Sequence, residues 1–309
     1  MQQMMYALIP IHLAAIYFFG WRTLLIVAAV DAAGFLFEYI FARVYKQQVS
    51  SAVFVTNALF ALSLPPTIPI WIAILGIAFG IVFGKMVFGG FGRNIFNPAI
   101  TGRAFVYVSF GVSMTGRFIQ PVTGGVLRGF AVWAPSTAPD VLTSTTPLAI
   151  QYGGESVPWL KLLLGNTSGS MGETCAVLII LTGLYLVIRK TASFRIILGG
   201  LLAYAAVQAV FWLAGLGKPM DPLHGIVSGS LLYGLVYMAT DPISSSQTTE
   251  GGRWIFGCFV GALIALIRTF SSWPEAVTFA ILIANMFAPL LDYGMKQAKQ
   301  ARAGRAKPA

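Results

Sequence analysis

Ile68-Pro-Ile-Trp-Ile-Ala-Ile-Leu-Gly-Ile-Ala-Phe-Gly-Ile-Val-Phe-Gly-Lys-Met-Val-Phe88 contains a single charged residue, Lys85, close to its end. A run of this kind has the ~20 residues an α-helix needs to cross the hydrocarbon core of a bilayer. Leu64-Pro65-Pro66 stands just upstream, and Gly89, Gly90, Gly92, Asn94 and Asn97-Pro98 follow downstream. Proline and glycine break regular structure, so the run reads as one Trp-led, Gly-rich span with a breaker at each end.

Apolar segments like it recur along the chain, at 4–19, 21–41, 51–64, 68–88, 96–114, 173–188, 194–216, 224–240, 254–270 and 274–293. Hydrophobic residues make up 57% of the sequence and charged residues 10%, which excludes a soluble globular domain because the surface would be mostly apolar. The fold class is therefore an all-α integral membrane protein of about ten transmembrane helices. The third, fifth and eighth segments are short or interrupted by Pro and Gly, and read as broken or half-spanning helices. Such helices are tolerated where they are buried in protein or line a cavity. Met1 to Tyr6 lacks a basic n-region and a small-residue cleavage site, so no removable signal peptide is expected.

The chain resembles itself. Asn57 to Pro66, Trp71 to Phe88 and Asn94 to Ala99 form one block; Gly229 to Pro242, Trp254 to Phe270 and Asn285 to Pro289 form another. Each has a small-residue apolar run ending at Pro, a Trp-led Gly-rich helix and an Asn/Phe/Pro element. Five spans per half is an odd number, so the halves are expected to be inverted repeats, with binding sites near the midplane at the broken helices. Shared helix-packing composition would give a similar pattern without a repeat. The expected organisation is a first five-helix repeat at 1–114, an external loop at 115–172, a second five-helix repeat at 173–295 and a basic cytoplasmic tail at 296–309.

Charge sets the expected orientation. With both termini cytoplasmic, the inner segments hold Arg43, Lys46, Lys85, Arg93, Arg189, Lys190, Arg195, Arg253 and the tail cations from Lys296 to Lys307. The outer segments keep only Arg22, Arg117, Arg128, Lys161, Lys218 and Arg268, as the positive-inside rule requires. The formal net charge of +10 is mainly this topology signal plus the tail, and nothing in it points to nucleic acid. Cys175 and Cys258 fall in apolar runs without metal-ligand spacing and read as packing residues.

The one long outer loop contains Asp140-Val-Leu-Thr143-Ser144-Thr145-Thr146-Pro147, a hydroxyl cluster in an apolar protein. Alone it reads as a Ser/Thr-rich turn closed by Pro147. Its pattern resembles the flavinylation signature of the D subunits of Rnf complexes and the B subunits of sodium-pumping NADH:quinone reductases. The resemblance extends to Leu64 through Trp71, Gly84 through Ala99, Gly102-Arg103-Ala-Phe105, Gly169 through Thr174, Ala239-Thr240-Asp241-Pro242, and Glu275 through Tyr293, in the family's order. It implies FMN esterified through its phosphate to Thr146, with Asp140, Thr143, Ser144 and Thr145 as the recognition run. Ser144-Thr145 replaces the family's usual Gly-Ala, which leaves Thr145 as the competing acceptor, and the place before Pro147 favours Thr146.

Asn94 and Asn97 present amide donors and acceptors beside a Gly-rich approach, matching the edge of an isoalloxazine ring. The resemblance implies a second, non-covalent flavin (riboflavin) there, although Asn-Pro is also a common turn former. Lys85 and Arg93 either stabilise reduced anionic flavin or obey the positive-inside rule, and the latter is the expected reading. Asp241 and Asp292, at cytoplasmic ends of repeat-related elements, are the expected ion-path residues. Asp241 precedes Pro242, where freed carbonyls and a carboxylate suit Na+ or H+, or it pairs with Arg253. Glu38 is an acid inside the second span. His12 and His224 have no carboxylate partner evident in sequence and read as hydrogen-bonded structural residues. Trp133 and Trp159 read as interfacial anchors.

The expected function is a membrane subunit of an Rnf-type ferredoxin:NAD oxidoreductase coupled to Na+ or H+ transport. Its expected partners are iron–sulfur subunits, a second flavinylated subunit and a periplasmic flavin transferase. The cell inner membrane is the expected location. The B subunit of a Na+-translocating NADH:quinone reductase is the alternative, and a non-redox channel or transporter of the same architecture stands behind it. The D subunit is preferred because quinone-reductase B subunits usually carry a longer extension before the first span, whereas this sequence enters the membrane by about Met4.

Overall fold

Every regular element among the described residues of the computed structural model is helical. The structure describes residues 1–116, 118–122, 125, 127–134, 146–155, 157–217, 220–246, 248–271 and 275–305, with side chains to residue 301. The helices are α1 (Gln2–Phe19), α2 (Arg22–Val44), α3 (Ala52–Leu62), α4 (Ile70–Ile81), α5 (Pro98–Ser109), α6 (Gly111–Thr115), α7 (Pro147–Tyr152), α8 (Trp159–Leu164), α9 (Ala176–Ile188), α10 (Phe194–Leu213), α11 (Pro222–Val227), α12 (Leu231–Tyr233), α13 (Glu250–Phe270) and α14 (Ala276–Arg305). Helix α4 runs on into a π-helical turn at Val82–Met86, and α12 into another at Gly234–Met238.

Among the described residues, four stretches are long and apolar enough to cross a membrane: Arg22–Val44, Phe194–Leu213, Glu250–Phe270 and Ala276–Ala301. They make the chain a multi-pass membrane protein. Many of the large exposed side chains on these helices are apolar, as at Leu36, Leu202, Val210, Leu266 and Leu290, which suits a lipid-facing surface. Cys258 lies on that exposed side of α13 rather than in the core expected for it.

The segments with sequence breakers are short in the structure. Helix α3 has 11 residues and is buried along nearly its whole length. The eighth segment divides into α11, α12 and the second π turn, with every residue from Leu231 to Met238 buried. The fifth divides at Phe110 into α5 and α6. The two buried short elements, α3 and α12, meet in the interior, where the Tyr233 hydroxyl donates to the Leu59 carbonyl at 3.0 Å.

Glycines set the closest helix crossings. A Cβ at Gly80 would run into the Pro98 carbonyl, and one at Gly102 into the Gly76 carbonyl, so α4 and α5 touch backbone to backbone. Gly257 and Gly261 of α13 meet Ile196 and Gly200 of α10 in the same way. Small residues at a crossing let dispersion and weak polar contacts hold helices together where the hydrophobic effect cannot.

Candidate functional site

Helix α5 begins at Asn97, whose side-chain oxygen accepts from the Ala99 N–H at 3.0 Å, with Pro98 in the first helical position. This is the expected start of a helix: an Asx cap followed by proline. The Asn97 amide nitrogen also donates to the Met238 carbonyl at 3.3 Å, joining α5 to the end of the second π turn. That carbonyl is available because the π turn and the following Asp241-Pro242 break the α-helical ladder.

Asn94 and Asn97 line a cavity of about 110 Å³ together with Lys85, Thr240 and Asp241, called inner, and its counterpart outer, only after the sides that the charge pattern leads one to expect. From sequence the asparagines belong to a flavin and Asp241 to an ion path; the structure brings them to one cavity. Gly89, Gly90 and Gly92 all adopt positive φ (101°, 96° and 85°), so the loop between the first π turn and α5 requires residues without Cβ. Lys85 is no loop charge. It is 2% exposed, and its Nζ lies 2.6 Å from Glu38 Oε2.

The Asp241 carboxylate accepts from the Ser244 hydroxyl at 2.6 Å and from the Ser244 and Ile243 N–H groups. These partners all lie in its own loop. Asp292 does not line the inner cavity. It grips the other end of the same loop, accepting from the Ser246 hydroxyl at 2.5 Å and the Thr248 N–H at 3.4 Å.

Thr146 caps α7: its hydroxyl oxygen accepts from the Ala149 N–H at 3.3 Å, and Pro147 takes the first helical position. The residue is half-buried and stands on the lining of an outer cavity of about 350 Å³. Asp140, Thr143, Ser144 and Thr145 lie outside the described residues. Arg103, Glu173 and Glu275 line the same cavity. In the sequence these three stand out only as parts of family-like runs. Arg103 Nη2 donates to Glu275 Oε2 at 2.6 Å, and its Nη1 donates to the Ser63 carbonyl at the end of α3. The Arg103 Nε has no hydrogen-bond partner among the described residues, although the residue is 4% exposed.

Both cavities are reached by the same two elements. Helix α5 starts at the inner cavity with Asn97 and Pro98 and reaches the outer one at Arg103 and Tyr107. The α12 segment leaves the outer cavity at Ser230 and reaches the inner one at Tyr237. Five to seven helical residues separate them, roughly 8–10 Å at 1.5 Å per residue.

One further residue departs from expectation. His224 does have a carboxylate partner, Asp221, three residues earlier: Asp221 Oδ2 lies 2.7 Å from His224 Nδ1 and accepts the His224 N–H at 2.8 Å. One carboxylate thus caps α11 and fixes the ring. Trp159 packs on that imidazole with ring centroids 4.0 Å apart. His12 is the structural histidine expected, its Nδ1 2.8 Å from the Leu8 carbonyl oxygen. Among the described residues there is no group of His, Cys, Asp and Glu arranged to hold a metal ion.

The fold and the site define a helical, multi-pass membrane protein with two cavities of mixed polar and apolar lining, joined by α5 and the α12 segment. The chain belongs to the NQR2, RnfD, RnfE family, whose model matches residues 1–301. It is 38% identical over 287 residues to the B subunit of the Na(+)-translocating NADH-quinone reductase of Stutzerimonas stutzeri, covering 88% of this chain and 66% of that protein. The corresponding B subunit of Pseudomonas aeruginosa (strain LESB58) is 37% identical, with 86% and 64% covered. That of Neisseria meningitidis serogroup B is 36% identical, with 92% and 68% covered. The chain thus spans about two thirds of the length of these relatives, just under it for the first two.

Proposed function

We propose that this chain is an electron-transfer subunit of a redox-driven, ion-translocating membrane complex of the NADH:quinone reductase kind, in the place of its B subunit. The named relatives support that type over the Rnf D subunit preferred from the sequence, because all three are quinone-reductase B subunits. Its ion would then be Na+, and its partners the other subunits of such a complex, including iron–sulfur and second flavinylated subunits. The proposed location is the bacterial inner membrane with both termini cytoplasmic and the Thr146 loop outside. The halves 1–114 and 173–295 are proposed to be inverted repeats, each with a short buried helix third in order.

The observation that carries the proposal is the place of the half-buried Thr146 on the lining of the outer cavity. Its oxygen accepts one N–H, and the residue is only half-buried, so the hydroxyl stays within reach of a periplasmic flavin transferase. The cavity has the room and the mixed polar and apolar lining that a planar heteroaromatic ring needs, so the residues present fit FMN esterified to Thr146. A flavin supplies one- and two-electron chemistry. What the chain supplies is attachment at Thr146 and a polar floor at Arg103, Glu173 and Glu275.

For the second flavin, the proposed holders are Asn94 and Asn97. Asn97 already spends its amide on Ala99 and Met238, so Asn94, whose nitrogen donates to the Phe96 carbonyl at 2.9 Å, is the freer of the two. Asp241 and Asp292 are the proposed ion-path residues, acting through the loop they both hold. Acid–solvent precipitation of the purified protein tests the flavin reading. One flavin pool should pellet with the protein and a second should stay in the supernatant. Protein with no pelleted flavin after co-expression with a flavin transferase would instead support a non-redox channel.

A further inference from the structure

Between the two cavities lies a small void of about 10 Å³, room for about one water molecule. Arg103, Ser230 and Glu275 line both this void and the outer cavity. Tyr233 and Met238 line it as well, and the Met238 carbonyl is the one that Asn97 of the inner cavity holds. An ion passing directly from one cavity to the other along α5 and the α12 segment would cross this layer.

The only ionised side chains lining the void, among the described residues, are Arg103 and Glu275. They come from opposite halves of the chain. Arg103 is on α5 and is anchored by the carbonyl that ends α3; Glu275 stands at the start of α14. Both oxygens of the carboxylate are occupied. Oε2 takes the guanidinium at 2.6 Å, and Oε1 takes the Thr278 hydroxyl at 2.6 Å and the Thr278 N–H at 3.3 Å. A carboxylate used in this way has little left to offer a hard cation, while a fixed guanidinium repels one.

We propose that the Arg103–Glu275 pair is an electrostatic seal that keeps Na+ and H+ from moving directly between the outer and inner cavities. The positive charge blocks the layer, and its ion pair hides the one acid there that would otherwise be a cation stepping stone. Any coupled ion movement must then go around this layer or open the pair. The claim does not use the flavin. It needs only that the chain spans the membrane with one cavity facing each side.

The test is passive Na+ influx, read with an entrapped Na+-sensitive dye, into liposomes holding the full chain without reductant and with the membrane potential clamped. Arg103→Gln frees Glu275 and should raise influx roughly tenfold or more, since loss of a nearby like charge in a low-dielectric layer removes a large repulsion. Arg103→Lys should stay as tight as the parent. Glu275→Gln, which keeps the guanidinium, should stay tight as well. The double variant Arg103→Gln/Glu275→Gln should fall back towards the parent rate, because no carboxylate then lines the void. The same pattern in the flavin-free Thr146→Val background separates this claim from the proposed function. A tight Arg103→Gln chain, a leaky Glu275→Gln chain, or a double variant as leaky as Arg103→Gln would overturn it. The last of these would show loosened packing rather than a charge effect.

Discussion

Lys85 Nζ lies 2.6 Å from Glu38 Oε2, with the two side chains 2% and 3% exposed. The other carboxylate oxygen of Glu38 accepts the Ser50 N–H at 3.0 Å, so α2, the entry to α3 and the first π turn are tied at one point. A buried pair of this kind adds little net stability while both partners are present, but removing one leaves an uncompensated charge. Lys85→Met should therefore destabilise the protein by about 3–5 kcal/mol, whereas Lys85→Met/Glu38→Gln should recover much of that loss. Thermal melting in detergent, compared across the two variants and the parent, checks the order.

The inner cavity makes a prediction about flavin content. Asn97→Ala removes a helix cap, which costs about 1 kcal/mol, and it also frees the Met238 carbonyl. Asn94→Ala disturbs only the contact with the Phe96 carbonyl. Both variants should lose extractable flavin, but only Asn97→Ala should also melt earlier. Equal extractable flavin in parent and Asn94→Ala would remove the asparagine pair from the second flavin site.

Asp241 tests ion coupling. Its carboxylate lines the inner cavity while organising Ile243 and Ser244. Asp241→Asn keeps one acceptor oxygen, enough for the two Ser244 contacts, gives up the longer Ile243 contact and removes the charge. The assembled complex should then keep both flavins yet lose most Na+-dependent turnover and membrane-potential generation in vesicles. Normal coupling in that variant would take Asp241 out of the ion path and leave it a loop-ordering residue.

Much of this is legible in the sequence because its signals are local. The breakers at Pro65-Pro66 and Asp241-Pro242 mark the ends of the two short buried elements. Asn97-Pro98 and Thr146-Pro147 mark caps that the structure places at the two cavities. What is not legible is contact across the fold. Arg103 and Glu275 are 172 residues apart, and nothing near either one announces the other. Lys85 reads as a positive-inside charge because its partner, Glu38, is 47 residues away on another helix. His224 is the reverse case. Asp221 is close enough to see, but an Asp-Pro start of a short helix, with the acid serving both the backbone and the ring, is recognised only when both contacts are drawn.

Intact-mass analysis of the chain co-expressed with a flavin transferase, as parent and as Thr146→Val, tests the central claim most directly. Valine removes the hydroxyl with little change in shape, at the cost of the α7 cap, about 1 kcal/mol of local stability. The parent should carry the mass of one FMN added with loss of water, and Thr146→Val should carry none while still reaching the membrane. An adduct retained in full on Thr146→Val, or a parent chain without any adduct, would contradict the account.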